Sequence, residues 1–265
     1  MQQHSAVAEA MAVPQPSSSS RGAVATENTL SVDVASGEVL RGGALVRVSD
    51  GTLQLLVLLA VSGRPMGRDA IIDRMWPDLD GDSAANALKV CAHRARAQLE
   101  DSTAITSRKG LFALGDGVTT NYQRILDLAA MAQSGTLSDA ARKELPAIYE
   151  RLARGLLSRW ASWTWFVPHA RALTDAARAM ASSLVSDQLE RGEFQFAQQT
   201  ARALIAAEPF DENARMLILR VYMKSGNFTG AVEEYQEFAR LLERELGEKP
   251  SADLKRALEA ETRSA

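Results

Sequence analysis

The segment Ser83–Leu99, SAANALKVCAHRARAQL, decides how the front half of this chain is built. On a wheel of about 100° per residue, Ala92, Ala95 and Leu99 fall within roughly 40° of Leu88, with Cys91 and Ala84 at one edge. That stripe is a core face. Asn86, Lys89, Val90, His93, Arg94 and Ala97 occupy the other side, and Arg96 lies on the flank. Ser83 is expected to cap the helix, which runs to Glu100. The outward face suits DNA. Arg and Lys bridge guanine O6 and N7, Asn pairs with adenine, and a small apolar group meets a thymine methyl. Small Val90 and Ala97 between the long side chains allow close approach to a groove. The competing reading is a solvated amphipathic face.

Working outward, Asp78-Leu79-Asp80-Gly81-Asp82 is an acidic turn, preceded by a short helix with Ile71, Ile72, Met75 and Trp76 apolar and ended by Pro77. Before it, Leu53, Leu56, Val57 and Ala60 share a helical face that stops at Gly63-Arg64-Pro65. Earlier still the period is two: Leu30, Val32 and Val34, then Val39, then Val46 and Val48, broken by Gly37 and Gly42-Gly43, which means a small antiparallel sheet. Downstream, residues 104–114 (AITSRKGLFAL) form two short strands around a basic turn. Sheet, three helices and hairpin make a winged helix, whose third helix enters the major groove while the hairpin reaches the adjacent backbone. From Ala84 to Gly110 there are five basic residues against two acidic, although the chain as a whole is at −3. The positive patch is local, and Arg108 and Lys109 of the hairpin extend it.

Beyond Asn121 the pattern is helical. Gly192-Glu193-Phe194 with Ala197 is matched by Gly226-Asn227-Phe228 with Ala231, at an offset of 34 residues. That period belongs to tetratricopeptide-like hairpins, in which Gly ends one helix and Ala lets two helices approach. Pro209 stands where the loop between repeats needs a helix stop. The acidic pair Glu233-Glu234 is expected on a solvated face. The expected division is a disordered tail at 1–28, an α+β winged-helix domain at 29–118, and an all-α tetratricopeptide-like domain at 121–265.

Composition narrows the function classes. Hydrophobic residues at 46% and charged residues at 24% over 265 positions are globular values. The single Cys91 makes no intramolecular disulfide and points to a reducing, cytoplasmic compartment; at a core edge it reads as inert. His4, His93 and His169 lie far apart without metal-ligand spacing, so no metal or cofactor is expected. The apolar run Leu53–Val61 is half a membrane span. With no Ser-His-Asp set and no Gly-rich nucleotide loop, an enzyme is the weakest reading. Trp160, Trp163, Trp165 and Phe166 could stack on a ligand, but such residues more often fill helix interfaces.

The stretch GRPMGRDAIIDRMWPD (Gly63–Asp78), the helix SAANALKVCAHRARAQL and the hairpin ITSRKGLFAL (Ile105–Leu114) resemble the OmpR-type winged helix of the SARP family of activators. The Trp-rich segment, the paired repeats and the terminal ELGEKPSADL (Glu245–Leu254) resemble the bacterial transcriptional activation domain that follows it there. Ala95 departs from the family's usual Leu before the Arg. The resemblance implies an activator that binds double-stranded promoter DNA and recruits RNA polymerase. It places the polymerase contact in the loop Pro77–Asp82, at Asp78 and Asp80. The DNA-binding set expected from the helix and hairpin is Asn86, Lys89, His93, Arg94, Arg96, Arg108 and Lys109. Self-association on tandem sites is a further expectation. The alternative is a helical-repeat adaptor that binds no DNA, its front domain being a docking module.

Overall fold

A computed structural model describes residues 29–155 and 163–262; the expected tail at 1–28, His4 and Trp160 lie outside them. The chain opens with β1 (Leu30–Asp33), β2 (Glu38–Arg41) and β3 (Ala44–Leu45), antiparallel in the register Val32↔Val39 and Leu40↔Leu45. The β1–β2 turn is built by Asp33. Its carboxylate accepts the backbone N–H groups of Ala35 at 2.9 Å and Ser36 at 3.1 Å, and its carbonyl accepts that of Gly37.

Helix α1 (Asp50–Ser62) follows. Its apolar residues were expected on one face, yet Leu53, Leu55, Leu56, Val57, Leu58, Leu59 and Ala60 are all buried. The reason is position: strands and helices of both halves surround α1, so that only its two ends and Gln54 keep contact with water. Gly63 closes it in the left-handed conformation at φ 60°. Then come β4 (Met66–Gly67), α2 (Arg68–Met75), α3 (Gly81–Gln98), β5 (Ile105–Arg108) and β6 (Leu111–Leu114). A second sheet of order β4-β6-β5 forms from the hairpin and the short strand before α2. A further strand, β7 (Val118–Thr120), returns to the first sheet and pairs parallel with β1. The front half is a winged helix, as its element order implied.

The rear half is helical: α4 (Tyr122–Ser134), α5 (Asp139–Gly155), a 3-10 turn (Thr164–Phe166), α6 (Val167–Glu190), α7 (Phe194–Ala207), α8 (Glu212–Lys224), α9 (Phe228–Leu246) and α10 (Ala252–Thr262). The 34-residue repeat is the α6–α7 and α8–α9 hairpins. Gly192 (φ 73°) and Gly226 (φ 76°) make the two turns, Glu193 and Asn227 take the N-cap positions, and Ala197 and Ala231 are fully buried. Successive hairpins are tied laterally by Arg178 to Asp211 at 2.6 Å and by Arg220 to the Ser186 hydroxyl at 3.1 Å.

Glu234 corrects the sequence reading. It was expected in water, but it is only 3% exposed and lies between Arg202, at 2.6 Å, and Arg215, whose guanidinium also covers the Phe238 ring. Helix α9 turns its Ala231–Glu234–Phe238 stripe inward, so the Glu that falls on that stripe needs cationic partners.

One hydrophobic cluster runs through both halves, from Leu30 of β1 to Val221 of α8; a second, with Leu219, Phe238 and Leu254, seats α10. The junction is also hydrogen-bonded. The Asn121 amide accepts from Val34 N at 2.8 Å and donates to the Asp33 carboxylate at 2.7 Å, while Arg151 of α5 lies 3.6 Å from Asp33. The Tyr122 hydroxyl and His169 Nδ1 share a hydrogen bond of 2.7 Å. Among the described residues no helix is long and apolar enough to cross a membrane.

Candidate nucleic-acid interface

Helix α3 begins at Gly81, three residues before the expected start, because the cap is Asp80 and not Ser83. The Asp80 carboxylate accepts the Ser83 backbone N–H at 3.0 Å, and that bond holds its carboxyl below the usual range. Ser83 is the donor in this arrangement. Asp82 lies in the first turn, where a negative charge suits the helix dipole.

The inner stripe of α3 is Ala84, Leu88, Cys91, Ala92 and Ala95, all buried against α1 and α2. Packing it against the core aims the opposite side at solvent. Asn86, Lys89, Val90, His93, Arg94 and Ala97 are accordingly exposed, Val90 at 47%. The array is a row of amide, cationic and imidazole donors with one aliphatic group in its middle. Cys91 points the other way: its thiol donates to the Gly51 carbonyl at 3.3 Å, and burial pushes its pKa up.

Arg96 is placed differently from its neighbours. It is half-buried, and its Nε donates to the Ile105 carbonyl at 2.9 Å. It ties the last turn of α3 to the first strand of the hairpin, which fixes where the hairpin stands relative to the exposed face. At the hairpin tip Arg108 and Leu111 are paired, leaving Lys109 and Gly110 as a two-residue turn at φ 51° and 76°. Two positive φ values define a type I′ turn, for which Asn-Gly is the preferred pair; a Lys there is held in the left-handed region against its steric preference. Arg108, Lys109 and Leu111 are all exposed. The Gly110 carbonyl accepts the Arg68 N–H at 2.9 Å, which holds the tip against the start of α2.

Asp78, Leu79 and Asp80, in the loop between α2 and α3, face solvent. The aromatic segment does not open into a site: Phe166 is fully buried, Trp163 stacks on Trp165 at 5.6 Å, and both Trp rings pack on the core. No cluster of three or more potential metal ligands occurs among the described residues. Sequence reasoning missed the Asp33–Asn121–Arg151 node, although Asp33 four residues before Gly37 is a turn signal that could have drawn attention to it.

A winged-helix half with an exposed basic helix, backed by stacked helical hairpins, is the architecture of a transcription regulator. The bacterial transcriptional activator domain matches residues 128–262, half of the chain, and the chain belongs to that family as a regulator of the SARP type. It is 26% identical over 208 residues to the regulatory protein AfsR of Streptomyces coelicolor, an overlap of 76% of this chain and 20% of that protein. The chain thus spans about a fifth of the length of that curated relative. Its fold is similar to that of EmbR of Mycobacterium tuberculosis, solved in complex with a low affinity phosphopeptide. The TM-score is 0.65 at 20% identity, and the match covers 90% of this chain and 66% of that one.

Proposed function

We propose that the protein is a sequence-specific DNA-binding transcriptional activator. The carrying observation is the division of α3: an apolar stripe buried in the core sets Asn86, Lys89, His93 and Arg94 in solvent as one row, beside a hairpin tip bearing Arg108 and Lys109. In this reading the row meets base edges in the major groove and the tip meets phosphate. Arg96, expected as a DNA contact, serves better as the strut that positions the hairpin, given its bond to Ile105. Residues 29–118 with β7 form the reading unit, and 121–265 form the unit that self-associates on tandem sites. Exposed Asp78 and Asp80 suit a basic patch on RNA polymerase and would repel the DNA backbone. The reading places the protein in the cytoplasm, with its promoter.

The alternative, an adaptor without DNA binding, draws on a groove of about 890 Å3 that α4, α6 and α8 line in the helical half. Gel-shift titration of the protein on promoter fragments and on random DNA, at two salt concentrations, separates the two. A regulator binds some fragments about 10³-fold or more tighter than random DNA, with affinity that falls steeply as salt rises. Equal, weak retention of all fragments would leave the adaptor.

A further inference from the structure

Between the two halves lies a cavity of about 330 Å3, walled by the end of α1, the loop after it, α2 and, from the helical half, His169 of α6. It is small, but within the range of ligand sites. Arg64, Arg74, His169 and Ser62 provide its polar wall, and Leu58 and Met66 belong to its apolar part. Among the described residues no Asp or Glu lines it, in a chain of net charge −3. Neither Arg64 nor Arg74 has a carboxylate within ion-pair distance among the described residues. By contrast Arg124, Arg142, Arg178 and Arg202 of the helical half each hold one.

His169 uses Nδ1 for the Tyr122 hydroxyl, so Nε2 is the ring nitrogen that remains for a ligand. Burial, and then the positive charge of Arg74, hold the imidazole below its usual pKa. Arg74 and His169 line the same cavity, and no carboxylate among the described residues lines it to offset that charge. Guanidinium groups bind oxyanions through paired N–H donors. Arg74 spends Nη1 on the Ala70 carbonyl at 2.7 Å, which leaves Nε and Nη2 as its pair.

We propose that this cavity binds a small oxyanion, a molecule bearing phosphate or carboxylate, between Arg64, Arg74 and His169. Because α2 belongs to the reading half and α6 to the helical half, the bound anion bridges the two. It would be an input that the DNA-binding face does not supply.

The test uses the full chain with isotope-labelled histidine. His169 is assigned with a His169→Gln variant, and its imidazole resonances are followed at fixed pH. Sodium phosphate, pyrophosphate and citrate are titrated against sodium chloride at matched ionic strength. The expected result is a saturable movement of the His169 resonance with at least one oxyanion and none with chloride. The order among the three identifies the ligand class. In an Arg64→Ala/Arg74→Ala variant the midpoint should rise at least tenfold. Both side chains are exposed, so the variant should melt like the parent without anion; Arg64→Gln and Arg74→Gln, made singly, serve if it does not. A response that follows ionic strength alone, or one that survives the substitutions, overturns the proposal. So does a variant that only loses DNA affinity with a smaller salt slope, since its arginines would then belong to the DNA surface.

Discussion

Arg94 and Arg96 are two residues apart on α3 and face different surroundings. Arg94, with His93, stands in solvent, whereas Arg96 gives its Nε proton to the Ile105 carbonyl. Arg94→Ala and His93→Ala should each weaken specific binding by about 1–3 kcal/mol and leave nonspecific binding nearly unchanged. Arg96→Ala should instead lower stability by about 1.5–3 kcal/mol, the worth of a hydrogen bond from a charged group. Filter binding on specific and random DNA, beside thermal melts, checks both; equal losses on the two DNAs would remove His93 and Arg94 as base readers. Both exposures were legible, because a 3.6-residue period assigns faces from sequence alone. The role of Arg96 was not, since a flank position does not say which backbone it will meet. At the turn before α3, Asp80 caps the helix as well as bearing charge, so an alanine there would confuse two effects. Asp78→Ala with Asp80→Asn removes both charges and keeps a cap oxygen. If the loop touches polymerase, transcription in vitro should fall several-fold while DNA affinity holds or rises. Undiminished transcription would show that the loop is only a turn.

The hairpin β5–β6 carries Lys109 at φ 51°, a conformation that Asn adopts with less cost. Lys109→Asn should therefore stabilise the hairpin slightly and yet weaken binding to every DNA sequence. Combined with Arg108→Ala it should reduce the slope of log affinity against log salt by about two. A slope unchanged in the double variant would place the hairpin off the DNA. In α9 the consequence of burial is larger. Glu234→Ala leaves Arg215 without its carboxylate in a nearly dry site, and the loss should be about 3 kcal/mol by denaturant titration. A loss below about 1 kcal/mol would mean that water reaches the site and that the pair is a surface one. The repeat itself was readable, because Gly192 and Gly226 must turn and Ala197 and Ala231 must admit a neighbour. Glu234 was misplaced although it follows Ala231 by three residues and so shares its face; what the sequence did not show is that Arg202 and Arg215 would meet it there.

At the scale of the whole molecule, the two halves share a core and a hydrogen-bonded seam at Asn121. Asn121→Ala strips Val34 N of its acceptor and Asp33 of a donor, which should cost about 2 kcal/mol and show in melts of the whole chain, not of one half. A biphasic melt with only one shifted step would show that the halves unfold independently. The seam escaped the sequence because β7 is three residues long and Asn121 looked like a boundary rather than a partner. Strand β7 has one more consequence. It pairs with β1 across 88 residues of chain, and α1, α2, α3 and the hairpin all lie between. Pairings so distant in sequence form slowly. A nascent chain leaving the ribosome therefore carries β1 with an open edge until residues 118–120 have been translated. An open edge of apolar strand recruits other chains. A translational pause between β1 and β7 would accordingly divert this protein toward aggregation, whereas a pause long after Thr120 would find β1 flanked on both sides and only the short, polar β7 at that edge.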